Sequence, residues 1–495
     1  MPRRSRKNTT VSRNVTGMEP SAEEVALQEL ESCCRLTVES ANKSDLIQTG
    51  VQEEETLTVC GDVLGYQIHQ KEGIEICSKF LIGKCHLLCQ QHHTVFPYSW
   101  QLRKTDTLEW SNVDEGAQEV LERLYCDPNR DLVTGVYKGL NCSMNFNTME
   151  VYQSNTLDRI RRLSTSTSKY VPFHTCYKYY YENADDSWLE FDPDFVKKIE
   201  EGLEMAHDEI RCSNSLFEYT INLNKMFQEN TQTGTKRRIK KRPVFRSSVA
   251  ITTELGALSN PLKMSSLPCD DLQPPNQTTF RNPYPETWTI TNPSSTYEKI
   301  SLSSKDKEFY HAYFHFHKTM PETQYIIMQM SRIQNYFQWE KYVRKRIYMT
   351  KSCTEKEKSC IERHLFHGTD STTVEAICKQ NFDSRVYGKH GTLYGRGCYF
   401  AKDADYSHRY TSATNSGEHC MFLAKVLVGR PAVGSPSLRR PPSLNPEDPA
   451  SPLYDSCVSR INDPDIFVIF DHDQFYPYFL ITYQKLQDIV ILESL

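Results

Sequence analysis

The chain has 495 residues, of which 38% are hydrophobic and 24% are charged, and its formal net charge is -5. A chain of this length exceeds one hydrophobic core, and we expect roughly three or four domains. The slight negative charge excludes a generally basic nucleic-acid-binding protein, so any basic contact surface must be local. The apolar run at residues 466–470 is far shorter than the ~20 residues of a membrane helix, so we expect no membrane partner.

The composition of the first 70 residues predicts a polar, disordered region. Residues 1–70 are rich in Ser, Thr, Asn, Glu and Lys and lack a sustained apolar period. The basic cluster at residues 3–7 is followed by no apolar run, which excludes a secretory signal and leaves a nuclear import signal or a solvated tail. The 17 cysteines are odd in number and scattered, a pattern typical of reduced thiols. We predict a protein of the nucleus, and also of the cytoplasm.

Residues 71–95 contain four closely spaced potential metal ligands: Cys77, Cys85, Cys89 and His93. Three thiolates and one imidazole are the ligand set of a closed, structural zinc site. The pattern resembles the CCCH zinc finger, with a shorter loop between its second and third cysteines than that family usually has. His92 and His86 are further candidate ligands, and a small loop with buried thiols is the alternative to a zinc site.

The resemblance to CCCH fingers also implies a nucleic-acid partner. Such fingers stack the bases of single-stranded RNA on aromatic rings, and Phe80 is the aromatic residue for that role here. The nearby positive charge is limited to Lys79 and Lys84. RNA is therefore a candidate ligand of this segment.

Two aromatic-rich segments follow, at residues 96–168 and 172–250. Each has aromatic residues early, then a predicted helix with an apolar face, then a basic end at residues 159–162 or 236–242. The repeated order of features predicts an internal duplication. The second basic end also has an alternative interpretation as an import signal.

The second of these segments, with Trp188, Glu200 or Glu201, and a basic end, resembles the WWE domain, a half-barrel with one helix that recognises ADP-ribose chains. In this alignment Tyr177 takes the place of the usual first tryptophan. The resemblance implies that three residues bind ADP-ribose on modified proteins: Tyr219 at the adenine, Gln228 at a polar edge and Arg237 at phosphate. The alternative is a set of core aromatics with an exposed charged face. The first segment looks like a divergent copy, which could be purely structural.

Residues 251–283 mix Pro, Ser, Asn and Gln and predict a linker. Residues 325–345 predict an amphipathic helix whose apolar face contains Ile326, Met330, Ile333 and Phe337. Beyond residue 364 the pattern changes to short β-branched and aromatic runs, and residues 422–428 and 466–470 predict strands. We expect residues 284–495 to form an α+β catalytic domain in a multidomain α+β protein.

Three short motifs in this region stand out: His-Leu-Phe-His-Gly-Thr at 364–369, Tyr-Gly-Arg-Gly-Cys-Tyr-Phe-Ala at 394–401 and Tyr-Ser-His-Arg-Tyr at 406–410. Each alone is weak, since paired glycines also mark ordinary turns. Their order and spacing together resemble the catalytic domain of the poly(ADP-ribose) polymerase superfamily. The resemblance implies that family's ADP-ribosyltransferase fold, a mixed or antiparallel β core with helices, and NAD⁺ as the substrate.

The resemblance also implies a role for each residue of the motifs. His367 is expected to hydrogen bond the adenosine ribose of NAD⁺. Gly368 presents its backbone to the nicotinamide amide where a side chain would block the approach, and Ser407 adds a further hydrogen bond. Tyr399 and Tyr410 are expected to sandwich the nicotinamide ring, because stacking adds about 0.5–1.5 kcal/mol to burial. Most of the catalysis in such a site is positioning.

Ile466 decides what the domain makes. Polymerising members of the superfamily have a glutamate at this position, which binds the ribose hydroxyls of NAD⁺ and of the growing chain. Isoleucine accepts no hydrogen bond, so the resemblance implies transfer of single ADP-ribose units to protein side chains, the protein's own included. Asp471 and Asp473 are alternative carboxylates in the sequence. A catalytically silent scaffold that binds RNA and ADP-ribose is the alternative function, and retention of His367 and Tyr399 favours the enzyme.

Overall fold

The computed structural model describes residues 70–85, 89–259, 284–288, 295–304, 306–351, 353–385 and 392–493. Residues 1–69 of the predicted disordered region therefore lie outside the described residues. The chain divides into two units, one containing the residues up to His93 together with Thr165–His174, the other containing Thr94–Ser164 and Thr175–Leu495. None of the described helices combines the length and hydropathy that a bilayer-spanning segment requires.

The first unit holds the Cys/His segment. A short helix, α1, covers Ser78–Leu81. A parallel bridge joins Ile76 to His92, and the Cys77 N–H donates to the His92 carbonyl at 2.8 Å. This bridge brings the two ends of the segment together, so that its first cysteine and its last histidine become neighbours.

The second unit begins with a half-barrel, module one, made from residues 98–164. Its helix α2 is Glu115–Cys126, and its strands are β1 Tyr98–Lys104, β2 Trp110–Asn112, β3 Leu132–Tyr137, β4 Leu140–Asn145, β5 Glu150–Tyr152 and β6 Leu157–Ser164. The sheet order is β2-β1-β6-β5-β4-β3, and a strand from the other end of the chain follows β3. Helix α2 buries Leu121 and Leu124 completely against the sheet.

A second half-barrel, module two, repeats this plan over residues 177–243. Its helix α3 is Pro193–Glu204, and its strands are β7 Tyr177–Glu182, β8 Trp188–Glu190, β9 Glu209–Ser213, β10 Glu218–Asn222, β11 Phe227–Asn230 and β12 Lys236–Pro243. The Asp192 carboxylate caps α3 by accepting from the Phe195 N–H at 3.0 Å. The sheet order β8-β7-β12-β11-β10-β9 matches that of module one. This shared order is what a duplication predicts.

Helix α4, Ser248–Ser259, follows module two directly. Residues 251–259, which the sequence analysis assigned to a linker, therefore lie in a helix. These residues include Leu255, a good helix former, and Ile251, which is buried. Residues 260–283 lie outside the described part of the chain.

The rest of the chain builds a nine-stranded sheet. Its strands are β13 Glu298–Ser301, β14 Tyr325–Gln334, β15 Glu362–Thr369, β16 Cys398–Ala401, β17 Glu418–Leu427, β18 Pro431–Val433, β19 Ser456–Val458, β20 Ile466–Ile469 and β21 Phe475–Lys485. The order is β13-β14-β21-β17-β15-β16-β20-β19-β18, with antiparallel pairs apart from the parallel pair β18–β19. The described helices around it are α5 Lys307–His317, α6 Tyr336–Thr350, α7 Glu355–Ile361, α8 Ser371–Gln380 and α9 Ala404–His408. The predicted α+β class is confirmed.

Both faces of the central strands are covered. Phe422 and Leu423 on β17 are fully buried, although they point to opposite faces. One face packs with α5 and α6 through Phe316 and Tyr342, and the other packs with α8 through Val374 and Ile377. Residues buried on both faces give a continuous apolar run, which explains why residues 422–428 were recognisable as a strand.

The prediction of a helix over residues 325–345 is wrong in its first half. Residues Tyr325–Gln334 form β14, and the helix α6 begins only at Tyr336. Met330 to Gln334 are buried without alternation, because β14 lies between β13 and β21. Such a run mimics helical spacing. Asn335 separates the two elements, since its side chain caps α6 by accepting from the Gln338 N–H at 3.2 Å.

Candidate active site and metal centre

His367 lies near the end of β15, between β16 and β17. Its Nδ1 donates to the carbonyl of Tyr399 on β16 at 2.9 Å. The ring also contacts Phe382 and Phe400, with centroid distances of 4.8 and 5.5 Å. A carbonyl only accepts, so Nδ1 must hold a proton, and in the neutral ring Nε2 is then the acceptor nitrogen. The strand pairing therefore sets both the position and the tautomer of the imidazole.

Gly368 and Ser407 touch through their backbones. A Cβ atom on residue 368 would lie 1.9 Å from the Ser407 carbonyl oxygen, so any side chain would push helix α9 away. Ser407 itself is buried. Helix α9 is anchored at its start, where the N–H groups of Ala404 and Asp405 reach the Thr319 hydroxyl at 3.0 and 3.3 Å. The structure thus joins the second and third motifs of the sequence to the first.

The hydroxyl of Tyr399 hydrogen bonds to the backbone at the start of its own motif. The hydroxyl accepts from the Tyr394 N–H at 2.9 Å and donates to the Gly395 carbonyl at 2.8 Å. Gly395 has a φ of +131°, and an added Cβ would lie 2.7 Å from the Phe470 ring, so glycine is required there. Burial raises the pKa of Tyr399. The phenol is thus committed to the turn, and the ring is what Tyr399 can offer a ligand.

Tyr410 is paired with Tyr406, a residue to which the sequence analysis gave no role. The Tyr410 hydroxyl donates to that of Tyr406 at 3.2 Å, and the ring centroids are 5.6 Å apart. The hydrogen bond from Tyr410, together with burial, raises the pKa of Tyr406 to about 12. The four-residue spacing of the two tyrosines was the available signal, because such spacing brings side chains together on a helical turn.

Ile466 begins β20 and faces a cleft. It pairs with Ala401 across the strands, and its side chain is 4% exposed. The cleft has a volume of about 290 Å³. Besides Ile466 it is lined by Tyr394, Asp403, Asp405, Tyr406, Arg409, Ser459, Arg460 and Asp465. Carboxylates thus occur around the cleft, but the position on the strand itself is aliphatic.

The acidic residues of the cleft differ in their surroundings. Asp465 forms an ion pair with Arg460 at 2.7 Å. Asp403 precedes α9 without capping it, and burial raises the pKa of its carboxyl. The alternative carboxylates named from the sequence point elsewhere, because Asp471 and Asp473 form ion pairs with Lys345 and Lys341 on α6.

In the first unit, the four predicted zinc ligands converge. The ligand atoms of Cys77, Cys85, Cys89 and His93 all lie within 4.8 Å of one another. Two of the contacts between them are Cys77 Sγ to Cys85 Sγ at 3.5 Å and Cys85 Sγ to His93 Nε2 at 3.3 Å. A tetrahedral zinc with bonds of about 2.0–2.3 Å has ligand–ligand distances of about 3.3–3.8 Å, so these two contacts and the set of three thiols and one imidazole fit the metal. His93 rather than His92 joins the thiols, and His86 lies outside the described residues.

The three residues predicted to bind ADP-ribose share one face of module two. Ile221 pairs with Gln228, and Gln228 pairs with Arg237, so these side chains stand on the same side of the sheet. Tyr219 lies two residues from Ile221 on that same side, against Phe195 of α3 at a centroid distance of 6.0 Å. The geometry therefore permits one ligand to contact all three.

Strand register corrects the alignment of the first aromatic residue of module two. In module one Trp100 pairs with Arg162, and in module two Tyr179 pairs with Lys241. Tyr179 therefore takes the place of Trp100, and the choice of Tyr177 was wrong by one alternation of the strand. Tyr179 is also the more buried of the two, as the core role of this position requires.

The basic end of module two is partly buried inside the second unit. Lys240 and Arg242 both donate to Asp131 of module one, at 2.6 and 3.1 Å. Both side chains are less than one-tenth exposed. An import receptor needs exposed lysines and arginines, so this packing argues against the second import signal.

Comparison with known proteins follows the same division. The family model of the poly(ADP-ribose) polymerase catalytic domain matches residues 306–436. Models of the WWE domain match residues 177–241 and 98–164. The first match covers β14 to β18 of the nine-stranded sheet, and the other two cover module two, up to its last two residues, and module one.

Several curated proteins resemble this chain over long stretches of sequence. The protein mono-ADP-ribosyltransferase PARP12 of Homo sapiens is 32% identical over 453 residues, which cover 86% of this chain and 60% of PARP12. The chain thus spans about 60% of the length of this relative. The protein mono-ADP-ribosyltransferase PARP11 of Mus musculus is 34% identical over 293 residues, or 55% of this chain and 80% of the relative. PARP11 of Homo sapiens is 30% identical over 361 residues, or 68% of this chain and 96% of the relative. The chain therefore belongs to the poly(ADP-ribose) polymerase superfamily.

Proposed function

We propose that this protein transfers single ADP-ribose units from NAD⁺ to side chains of other proteins and of itself, and releases nicotinamide. The observation that carries the proposal is the convergence of His367, Gly368 and Ser407 beside Tyr399, with Ile466 on the neighbouring strand. The names of the PARP12 and PARP11 relatives support the same reaction.

In the proposed reaction the acceptor side chain attacks the anomeric carbon of the nicotinamide ribose. The carbon–nitrogen bond to nicotinamide breaks, its electron pair leaves with neutral nicotinamide, and the proton of the acceptor passes to solvent. Gly368 and Ser407 hold the leaving group, with ring contacts from Tyr399 and Tyr410. His367 hydrogen bonds the adenosine ribose and fixes the other end of the dinucleotide. Catalysis in such a site comes mainly from positioning, which the closely packed backbones of Gly368 and Ser407 favour.

Ile466 supports single transfer rather than chain growth. Elongation requires a second ADP-ribose hydroxyl to be oriented as the nucleophile, and a carboxylate that binds it contributes about 1.5–3 kcal/mol. An aliphatic side chain contributes no such hydrogen bond, which corresponds to a loss of about tenfold to 150-fold. Transfer to each acceptor side chain should therefore stop after one ADP-ribose unit.

Labelled NAD⁺ given to the full chain tests both parts of the proposal. We expect one compact modified band, release of nicotinamide by the wild type, and loss of both in His367→Ala. A ladder or a high-mass smear would contradict single transfer, and Asp403→Asn would then test the half-buried carboxylate of the cleft. Equal and negligible nicotinamide release by the wild type and His367→Ala would instead support the silent scaffold.

We further propose that Cys77, Cys85, Cys89 and His93 hold a structural zinc ion. The convergence of the four ligand atoms supports this. Metal analysis of the full chain should give one zinc per chain, and Cys89→Ser should lower it, whereas Cys360→Ser, which changes an exposed thiol outside the cluster, should not. Equal zinc in both variants would exclude this site.

The partners of the N-terminal half complete the proposal. Module two is proposed to bind ADP-ribosylated proteins through Tyr219, Gln228 and Arg237. The finger is proposed to bind single-stranded RNA through Phe80, which is 42% exposed and stacks on His93 at 4.3 Å. RNA titration of the wild type and Phe80→Ala separates an aromatic contact from charge attraction. The basic cluster at residues 3–7 underlies the proposed nuclear location, and fluorescence imaging of a variant with that cluster neutralised tests it.

A further inference from the structure

The last described strand of the chain completes module one. Strand β22, Ile489–Glu493, lies parallel to β3, with Ile489 opposite Thr134 and Ile491 opposite Val136. The Asp114 N–H, at the start of α2, donates to the Leu492 carbonyl at 2.9 Å. Strand β22 is thus held by the sheet on one side and by the helix on the other.

The side chains of β22 divide cleanly between core and solvent. Val490 and Leu492 are 2% and 0% exposed, whereas Ile489 and Ile491 are 53% and 60% exposed. Residue 135 is a glycine, and an added Cβ would lie 2.5 Å from Leu492 Cδ1. Leu492 therefore fills the space that a side chain on β3 would otherwise occupy. Module one depends on a leucine from the catalytic end of the chain for its own core.

Only a short connection separates this strand from the catalytic sheet. Strand β21 ends at Lys485, and β22 starts at Ile489. Two contacts fix the residues between them, because the Leu486 N–H donates to the Gln324 carbonyl at 2.7 Å and Arg130 of module one donates to the Leu486 carbonyl at 3.2 Å. Arg130 also forms an ion pair with Asp488. The position of the end of β21 is therefore set from module one.

The end of β21 contacts the helix that carries Ser407. The Tyr483 hydroxyl and His408 Nδ1 are hydrogen bonded at 2.7 Å, and the Tyr483 ring packs on Phe316 at a centroid distance of 4.9 Å. His408 is the neighbour of Ser407 on α9, whose backbone touches Gly368. A continuous series of contacts thus runs from module one, through β22 and β21, to the nicotinamide side of the candidate active site.

We propose that module one is a clamp that holds α9 in its binding position by gripping β22, so that release of this strand loosens the nicotinamide site. Local elements open independently unless shared contacts couple them, and here Tyr483, Leu486 and Asp488 provide the shared contacts. Coupling of this kind is reciprocal, so a ligand that orders α9 must also tighten β22 on β3.

Hydrogen exchange in the full chain tests the clamp without requiring activity. In Leu492→Asp, a charge replaces the buried leucine, and we expect the amides of β3 and of residues 404–411 both to exchange at least about tenfold faster. Ile491→Asp places the same charge on the exposed face of the same strand and should leave both within about twofold of the wild type. Faster exchange in β3 alone would overturn the coupling, and no response in either segment would show that Leu492 does not hold the strand.

A milder pair of variants covers the case in which Leu492→Asp fails to fold. Asp488→Asn removes the ion pair with Arg130 at a position whose side chain is 63% exposed. We expect exchange at residues 404–411 to rise by about twofold to fivefold, whereas Glu493→Gln, which breaks the exposed pair with Lys138, should have no effect there. Identical exchange at residues 404–411 in the two variants would contradict the clamp.

A further experiment adds nicotinamide, and its interpretation rests on the proposed NAD⁺ site. Nicotinamide added to the wild type should slow exchange at residues 404–411 and also in β3, while in Leu492→Asp the protection of β3 should disappear. Protection of residues 404–411 without protection of β3 would overturn the clamp. Failure of nicotinamide to protect residues 404–411 at all would count against the proposed function, and the ligand-free comparison would still decide the clamp.

Discussion

Modules one and two share a strand order and a helix that follows an aspartate, yet they differ at each position where ADP-ribose is expected to bind. Strand register aligns Cys142 with Tyr219, Val151 with Gln228 and Asp158 with Arg237. The aromatic ring, the amide and the cation of module two are thus a thiol, an isopropyl group and an anion in module one. The comparison teaches that module one lacks each of the three side chains that we propose as ADP-ribose ligands in module two.

The two modules also differ in the residue through which the helix packs on the sheet. In module two Gly202 brings α3 directly against β9, since an added Cβ would lie 2.6 Å from Ile210 Cγ2 and 2.9 Å from Leu223 Cδ1. The aligned residue in module one is Leu124, which is fully buried. The helix of module one thus has a leucine where that of module two has a glycine. Strand β22 pairs with β3 in module one, whereas β9 is the last strand in the six-stranded sheet of module two.

The largest difference should appear when the same glutamate is changed in both modules. Glu122 forms a buried ion pair with Arg162 and accepts from the Trp100 indole at 3.0 Å. Glu122→Gln should destabilise module one by about 3–5 kcal/mol, because it leaves a buried guanidinium without its carboxylate. The aligned Glu200→Gln faces Lys241, which is only half-buried, and should cost about 1 kcal/mol. Native-state hydrogen exchange in β1 and β7 measures both, and equal losses would contradict the inequality.

The ligand faces can be distinguished by charge. Arg237→Ala should weaken the binding of an ADP-ribose chain fragment by about tenfold to 150-fold, the value of one charged hydrogen bond. Asp158→Arg puts the missing cation into module one, but Cys142 and Val151 can neither stack adenine nor hydrogen bond it. Calorimetric titration of the full chain should therefore find no second site in Asp158→Arg. Appearance of one would show that a single charge separates the modules.

A smaller effect is expected at the helix glycines. Gly202→Ala adds a methyl group where there is no space and should destabilise module two by about 1–3 kcal/mol. Gly116 in α2 has no heavy atom within 4 Å of an added Cβ, so Gly116→Ala should be neutral or stabilising by about 0.5–1 kcal/mol. Thermal unfolding monitored by exchange in each module compares them. A neutral Gly202→Ala would contradict the tight contact of α3 with Ile210 and Leu223.

The smallest effect should come from a surface pair of module one. Asp158 binds Arg103 at 2.6 Å, with the two side chains 32% and 22% exposed. Asp158→Ala should cost about 0–1 kcal/mol, since solvent screens such pairs. Denaturation with urea measures this change, and a loss near that of Glu122→Gln would mean that the inner and outer charges of the module are equally important.

The sequence was sufficient where function depends on local spacing. His367 and Gly368 lie at the end of β15, and Ser407 lies near the end of α9. The glycines at 368 and 395 mark places where the backbone has no space for a side chain. The convergence of Cys77, Cys85, Cys89 and His93 could also be predicted, because all four residues lie within one short segment of the sequence. The role of Tyr406 was missed, although its spacing from Tyr410 was visible.

The errors arose where long-range packing decides. Residues 325–334 have apolar positions compatible with a helix, and only their place between β13 and β21 makes them a strand. Residues 489–493 have the composition of a strand, but nothing local selects β3 as the partner. The contact between Arg130 and Leu486 joins residues 356 positions apart. Such a long-range pairing cannot be inferred from the residues of a single sequence.

Strand β22 also changes how this protein can be cut into pieces. A fragment that starts at residue 284 would carry an unpaired strand whose Val490 and Leu492 are exposed to solvent, a typical cause of edge-to-edge aggregation. A fragment that ends at residue 250 would lack the leucine that fills the space over Gly135. The domain borders that family comparison suggests therefore cross a single hydrophobic core, and the smallest piece expected to behave like the whole begins with module one.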